Sequence, residues 1–302
     1  MNIIDAHAHI IERIAGFGSK GELRPLGNGK ARWANGDEIF LIPSQLGSYD
    51  FTAESFISLM NEEGVNKAVL LQGSFYGFQN EYSYDATKKY PEKFVSAGTL
   101  DPFCKQKNEL LQRLLDIMKI RIIKFEVSSG GGLMSYHKDF DLDGEVFNDI
   151  FSTIANYGCT LVLDIGSPGM PSFQIEAVRK VAMTYPEMKI VICHLLAPTL
   201  NDAHELEEGL RKLCLENVWF DLAAIPWNLA PETYPYPTGR KYLKMAKNIV
   251  GSKKMIWGSD VPSVITREKY SNLISFITTA NIFTDKELEE IFYLNAVDVY
   301  FA

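Results

Sequence analysis

The sequence predicts an α/β protein, a (β/α)8 TIM barrel formed as one domain over residues 1–302. Two observations carry this expectation. Eight short apolar runs alternate with eight amphipathic segments, and no obvious domain break interrupts them. Imidazole and carboxylate side chains stand at the C-terminal ends of those runs, where barrel enzymes keep their chemistry. A doubly wound open sheet is the alternative built from the same units.

The strands are expected at 2–6, 67–72, 94–99, 121–127, 160–165, 189–194, 217–222 and 254–259. The helices are expected at 53–64, 81–90, 105–119, 144–158, 172–185, 203–214, 239–250 and 267–280. In the third helix Leu110, Leu111, Leu114, Leu115 and Met118 have the spacing of a buried face. Punctuation marks several boundaries. Gly158 supplies a C-cap before the strand at 160–165. Tyr90-Pro91 and Tyr185-Pro186 end helices before the next apolar run.

Two regions break the rhythm. Residues 11–52 are Gly-rich, lack periodicity and contain Arg13, Arg24, Arg32 and Trp33. Residues 225–238 are rich in proline and aromatics. Both are expected as long loops from the C-terminal ends of strands, serving as lid, substrate wall or dimer contact.

Net charge is −8, which argues against nucleic acid as a partner. No apolar run approaches the roughly 18 residues of a membrane span. Cys104, Cys159, Cys193 and Cys214 are widely spaced, without a CxxC pair, and fit a reducing cytoplasm. No signal peptide is apparent at the N-terminus.

The chemistry concentrates at strand ends. His7 and His9 follow the first apolar run two residues apart, so extended backbone turns both rings to one side. Two imidazoles aimed into one space can bind a metal. Lys124 and Glu126 share parity in the fourth strand, Asp164 ends the fifth, His194 the sixth and Asp260 the eighth. Each also has a plainer reading. Asp260 could cap a helix at Val261-Pro262, Asp164 could be a turn residue before Gly166, and His194 could be a core histidine. Lys124 and Glu126 could neutralise each other. Five such positions at one end of a barrel outweigh the separate plain readings. The run Ser128–Gly132 is too irregular to be a phosphate loop and is expected beside the site.

The segments IDAHAHI, VICHL, IWGSDVP and the C-terminal IFYLNAVDVY resemble the amidohydrolase superfamily, in its amidohydrolase family 2 branch of metal-dependent hydrolases and decarboxylases. The resemblance spans essentially the whole chain. It implies that His7 and His9 bind one divalent metal, that Asp260 completes or approaches the site, and that His194 acts on the substrate. It also implies a metal-dependent hydrolase of a small carboxylated or lactone/amide-type substrate, with Asp260 as general base and His194 as oxyanion stabiliser. Non-oxidative decarboxylation of an aromatic or muconate-type acid is the alternative on the same residues. A homodimer is common among barrels of this resemblance.

One position departs from the family. Strand five usually ends in a histidine ligand, and here it ends in Asp164. Asp164 is the favoured ligand there; zinc is the expected metal, and the oxygen-richer set also suits manganese or magnesium. Otherwise Glu126 could supply the ligand. Lys124, Glu126, Arg32 and Trp227 are the expected substrate contacts, with Arg13, Arg24 and Arg240 as further candidates for a carboxylate clamp.

Overall fold

The computed structural model describes residues 1–301. Strand β1 spans Ile4–Ala8. Four short strands follow: β2 (Gly16–Gly18), β3 (Gly21–Gly27), β4 (Lys30–Trp33) and β5 (Glu38–Phe40). The remaining strands are β6 (Lys67–Leu70), β7 (Phe94–Ser96), β8 (Ile122–Glu126), β9 (Thr160–Asp164), β10 (Ile190–Ile192), β11 (Val218–Asp221) and β12 (Met255–Ile256).

Strands β1, β6 and β7 pair in parallel, as do β8 to β12 in chain order. Backbone hydrogen bonds join the two groups at both seams. The Gly98 N–H donates to Ile122 O at 2.8 Å, and the Lys124 N–H donates to Gly98 O at 2.9 Å. On the other side the Ala6 N–H donates to Trp257 O at 3.1 Å, and the Asp260 N–H to His7 O at 2.7 Å. The sheet therefore closes into the expected barrel, and the open-sheet alternative falls away.

Ile4, Val69, Ile122, Val162, Val191, Trp219 and Ile256 point inward and fill the barrel. Parity then carries Lys124 and Glu126, Asp164, and Asp221 inward one or two steps further along their strands. The final helix (Asn295–Tyr300) packs Ala296, Val299 and Tyr300 against the N-terminal end of this core. Asn295 holds it there, donating from Nδ2 to Ser252 O and Met255 O, both at 2.8 Å.

The helices lie close to their expected ranges, and Gly158 takes the left-handed φ of +66° that its C-cap position requires. The buried face of the third helix differs in one place. Leu110 is 41% exposed, whereas Leu111, Leu114, Leu115 and Met118 are buried. The helix widens into a π turn at Arg113–Ile117, which re-phases the face by one residue.

Residues 11–52 are not the irregular loop that their composition predicts. Strands β2–β5 form an antiparallel four-stranded sheet in chain order. Leu23, Ala31 and Trp33 are its buried non-glycine members, between exposed or half-buried side chains. The strands span 3 to 7 residues, too short for a period of two to stand out in the sequence. Residues 225–238 are likewise partly helical, with one turn at Ile225–Asn228 and a long helix opening at Pro237.

Candidate active site

Regular alternation from the inward-facing Ala6 would turn His7 outward. A bulge prevents this. Between β1 and β6 the register runs Asp5↔Ala68 and then Ala8↔Leu70, so three steps on one strand oppose two on the other. The extra residue re-aims His7 and His9 into the barrel mouth. Gly258 makes room for it. A Cβ there would stand 2.6 Å from His7 Cβ and 2.8 Å from its backbone nitrogen. Asp5, left pointing outward and fully buried, accepts from Ser259 Oγ at 2.5 Å and from the Tyr270 hydroxyl at 2.6 Å.

Both imidazoles are oriented from behind. His7 Nδ1–H donates to Asp221 Oδ2 at 2.9 Å, and His9 Nδ1–H donates to Leu71 O at 3.1 Å. Acceptor-only partners fix the tautomers and leave each Nε2 lone pair free. Those two atoms meet Asp260 Oδ1 at 3.7 and 3.2 Å. Asp260 is held in this place by a left-handed φ of +61°. Burial keeps His7 and His9 below the ordinary histidine range, His9 at about 4, so both are neutral near pH 7.

Two imidazole nitrogens and one carboxylate oxygen on a shared centre are a donor set that suits a divalent metal. The residues fit the group. Lys124 Nζ stands 3.4 Å from His7 Nε2, so a bound cation would displace that ammonium contact. His7, His194 and Asp221 also lie close together. There Asp221 is already spent, on His7 Nδ1 and on the backbone N–H groups of His194 at 2.8 Å and Ala223 at 3.1 Å. That trio is a hydrogen-bonded support.

Asp164 lines the same cavity and is not a member of the His7, His9 and Asp260 group. Its Oδ1 accepts from the Gly166 N–H at 2.9 Å, the turn role, and its Oδ2 lies 3.6 Å from His194 Nε2. The cause is the backbone after β10. His194, Leu195, Leu196 and Ala197 all have left-handed φ between 45° and 68°. Such residues cost on the order of 1–3 kcal/mol each and concentrate at functional sites. The turn swings the His194 ring over β9, while its Nδ1–H donates to Ala223 O at 3.1 Å. Burial opposes charge on this ring, but the carboxylates around it, Asp164 first, raise it to about 10. The pair favours the charged form of His194, and Asp164 is held well below the usual carboxylate range.

A cavity of about 310 Å³ collects these groups. His7, His9, Lys124, Glu126, Asp164, His194, Trp227 and Asp260 all line it, with Phe75, Tyr76 and the glycine loop at Gly130 and Gly131. Burial lowers the Lys124 ammonium, but Cys193, Glu126, Asp164 and Asp260 outweigh this and leave it above its ordinary value. Arg32 is not among the lining residues. It sits on β4 and pairs with Glu38 at 2.6 Å on the surface. Arg13 and Arg24 share that outer face of the small sheet with Arg32. Arg240 donates to Phe276 O and Thr279 Oγ1 on the helical layer. His137 lies outside the cavity, its Nε2 2.8 Å from Asp101 Oδ2.

Asp221, Asp5 and Tyr270 are the supports that sequence reasoning missed. Parity could have found Asp221, because the inward-facing Trp219 stands two residues before it.

The amidohydrolase family model matches residues 4–302. No curated protein matches the sequence. Several solved structures share the fold. A probable 2-pyrone-4,6-dicarboxylic acid hydrolase from Acinetobacter baumannii, with citric acid bound, is 19% identical with a TM-score of 0.71 over 100% of both chains. An amidohydrolase from Burkholderia multivorans with bound zinc is 15% identical with a TM-score of 0.73 over 99% of both chains. A 5-carboxyvanillate decarboxylase from Sphingomonas paucimobilis is 15% identical with a TM-score of 0.56 over 81% of both chains.

Proposed function

The chain belongs to the amidohydrolase family, and on that premise we propose that it is a metal-dependent hydrolase of a small carboxylated or lactone/amide-type substrate. One observation carries the reading. His7 Nε2 and His9 Nε2 converge on Asp260 Oδ1 inside a cavity that His194 also lines. His7, His9 and Asp260 would hold one divalent metal. Zinc suits two imidazoles and a carboxylate, and a zinc-bound protein of the same fold supports that choice. Manganese or magnesium are the alternatives. When bound, such an ion supplies Lewis acidity and an acidified water.

The chain's own groups then divide the work. Asp260 accepts a proton from the attacking water as general base. The His194 imidazolium, held by Asp164 and Ala223 O, faces the charge that develops on the carbonyl oxygen. Lys124 offers an ammonium to a substrate carboxylate. Trp227 and Phe75 give the cavity flat walls. The free thiols of Cys104, Cys159, Cys193 and Cys214 suit the cytoplasm.

Those aromatic walls also favour a second reading, decarboxylation of a planar aromatic acid on the same residues. Product analysis separates the two. With 2-pyrone-4,6-dicarboxylate and related carboxylated lactones, hydrolysis consumes water and opens the ring. Asp260→Asn should lower that rate by about 10²–10⁴-fold. Release of CO2 from 5-carboxyvanillate or 2,6-dihydroxybenzoate, with every lactone and amide left intact, would overturn the hydrolase reading in favour of the decarboxylase.

A further inference from the structure

Glu126 ends β8 and Asp164 ends β9, and the two are direct register partners on adjacent parallel strands. Two carboxyl groups thus stand side by side at the rim of one cavity. They are treated differently. Asp164 has His194 at 3.6 Å and the Gly166 N–H at 2.9 Å. Glu126 has no cationic side chain within 4.0 Å among the described residues, and Lys124 turns towards His7 instead. Paired carboxyls whose surroundings differ in this way separate into an ionised and a protonated member. Burial, with Asp164 and Asp260 nearby, raises Glu126 to about 7 against the opposing effect of Lys124.

Two loops are shaped around this carboxyl. A Cβ on Gly73 would stand 2.1 Å from Glu126 Oε2, and one on Gly131 would stand 3.3 Å from Oε1. Glycine at both positions lets the strand-end loops close on the acid while it still faces the cavity.

We propose that Glu126 is the general acid of the hydrolysis, protonating the leaving group. The inference rests on the hydrolase reading above. Water adds to the carbonyl carbon and gives one proton to Asp260. The carbon–heteroatom bond then breaks, and the leaving oxygen or nitrogen takes the carboxyl proton of Glu126. Glu126 is left as a carboxylate and regains the proton held by Asp260 through solvent. The sum is one water consumed and no net change in the protein.

General acid help matters in proportion to how poor the leaving group is, and this gives a test that a structural role would not pass. Wild type, Glu126→Gln and Glu126→Asp are assayed as metal-replete enzymes on p-nitrophenyl acetate, phenyl acetate and 2-pyrone-4,6-dicarboxylate. For Glu126→Gln the expected loss of kcat is about 10²–10⁴-fold on phenyl acetate and under about 10-fold on p-nitrophenyl acetate. Glu126→Asp should recover part of the phenyl acetate rate. An equal loss on both esters, with unchanged melting behaviour, overturns the assignment and leaves the hydrolase reading intact. No hydrolysis of any probe by wild type overturns both.

Discussion

His7 Nδ1 lies 2.9 Å from Asp221 Oδ2, a contact between the first and seventh strands of the barrel. Both side chains are fully buried. The carboxylate fixes the His7 tautomer and so decides which way the Nε2 lone pair points. Asp221 also receives the backbone N–H of His194 at 2.8 Å. One residue thus sets the direction of a candidate metal ligand and the strained turn that carries the imidazolium.

Replacing Asp221 should accordingly weaken the site without touching substrate. Asp221→Asn is expected to lower metal affinity or kcat/KM by about 10–100-fold, the usual effect of losing a ligand's supporting carboxylate. Metal titration and steady-state kinetics on the folded variant check this. An unchanged metal affinity and rate would show that His7 is oriented by other means.

The charge on His194 depends on Asp164. The neighbouring carboxylate favours the imidazolium, so removing it lowers the pKa of the ring. In wild type the ring is expected to stay charged past pH 8, since it titrates at about 10. In Asp164→Asn it should lose its proton at lower pH, and the alkaline limb of kcat should move the same way. Nitrogen chemical shifts of His194 followed against pH measure it. A ring neutral at pH 7 in wild type contradicts the oxyanion role.

Tyr270 tests the support under the bulge. Burial raises Asp5 from 3.8 to about 6 in the fold. The folded chain therefore binds more protons than the unfolded one across that window. By this group alone, stability is greater below pH 3.8 and is lost as pH rises towards 6. The Tyr270 hydroxyl bonds the ionised form at 2.6 Å and limits the loss. Tyr270→Phe should cost about 1.5–3 kcal/mol at pH 8, where Asp5 must be charged, and less at pH 4. Urea unfolding at the two pH values decides it. An equal cost at both would mean that the phenol acts through packing only.

Much of this architecture is legible in the sequence, because a period of two is a backbone property. Lys124 and Glu126 share the inward parity of Ile122, and all the proposed strand-end residues line one cavity. What was not legible depends on contacts between distant segments. The bulge that turns His7 inward exists because residue 258 lacks a Cβ, and 251 positions separate the two. Asp164 was expected as a ligand because it stands at the strand end where the resembled family has a histidine ligand. That His194 lies beside it depends on the left-handed turn at His194–Ala197, for which four non-glycine residues give no local signal. Arg32 looked available for substrate because its partner Glu38 lies on the next strand of a sheet that the composition concealed.

The most direct test of the account is the metal content of wild type, Asp260→Ala and Asp164→Ala, each purified without added metal and measured by elemental analysis. With His7, His9 and Asp260 as the donor set, wild type should carry about one equivalent. Asp260→Ala should lose most of it, and Asp164→Ala should keep it. Loss in Asp164→Ala with retention in Asp260→Ala, or no metal in wild type, would contradict the site described here.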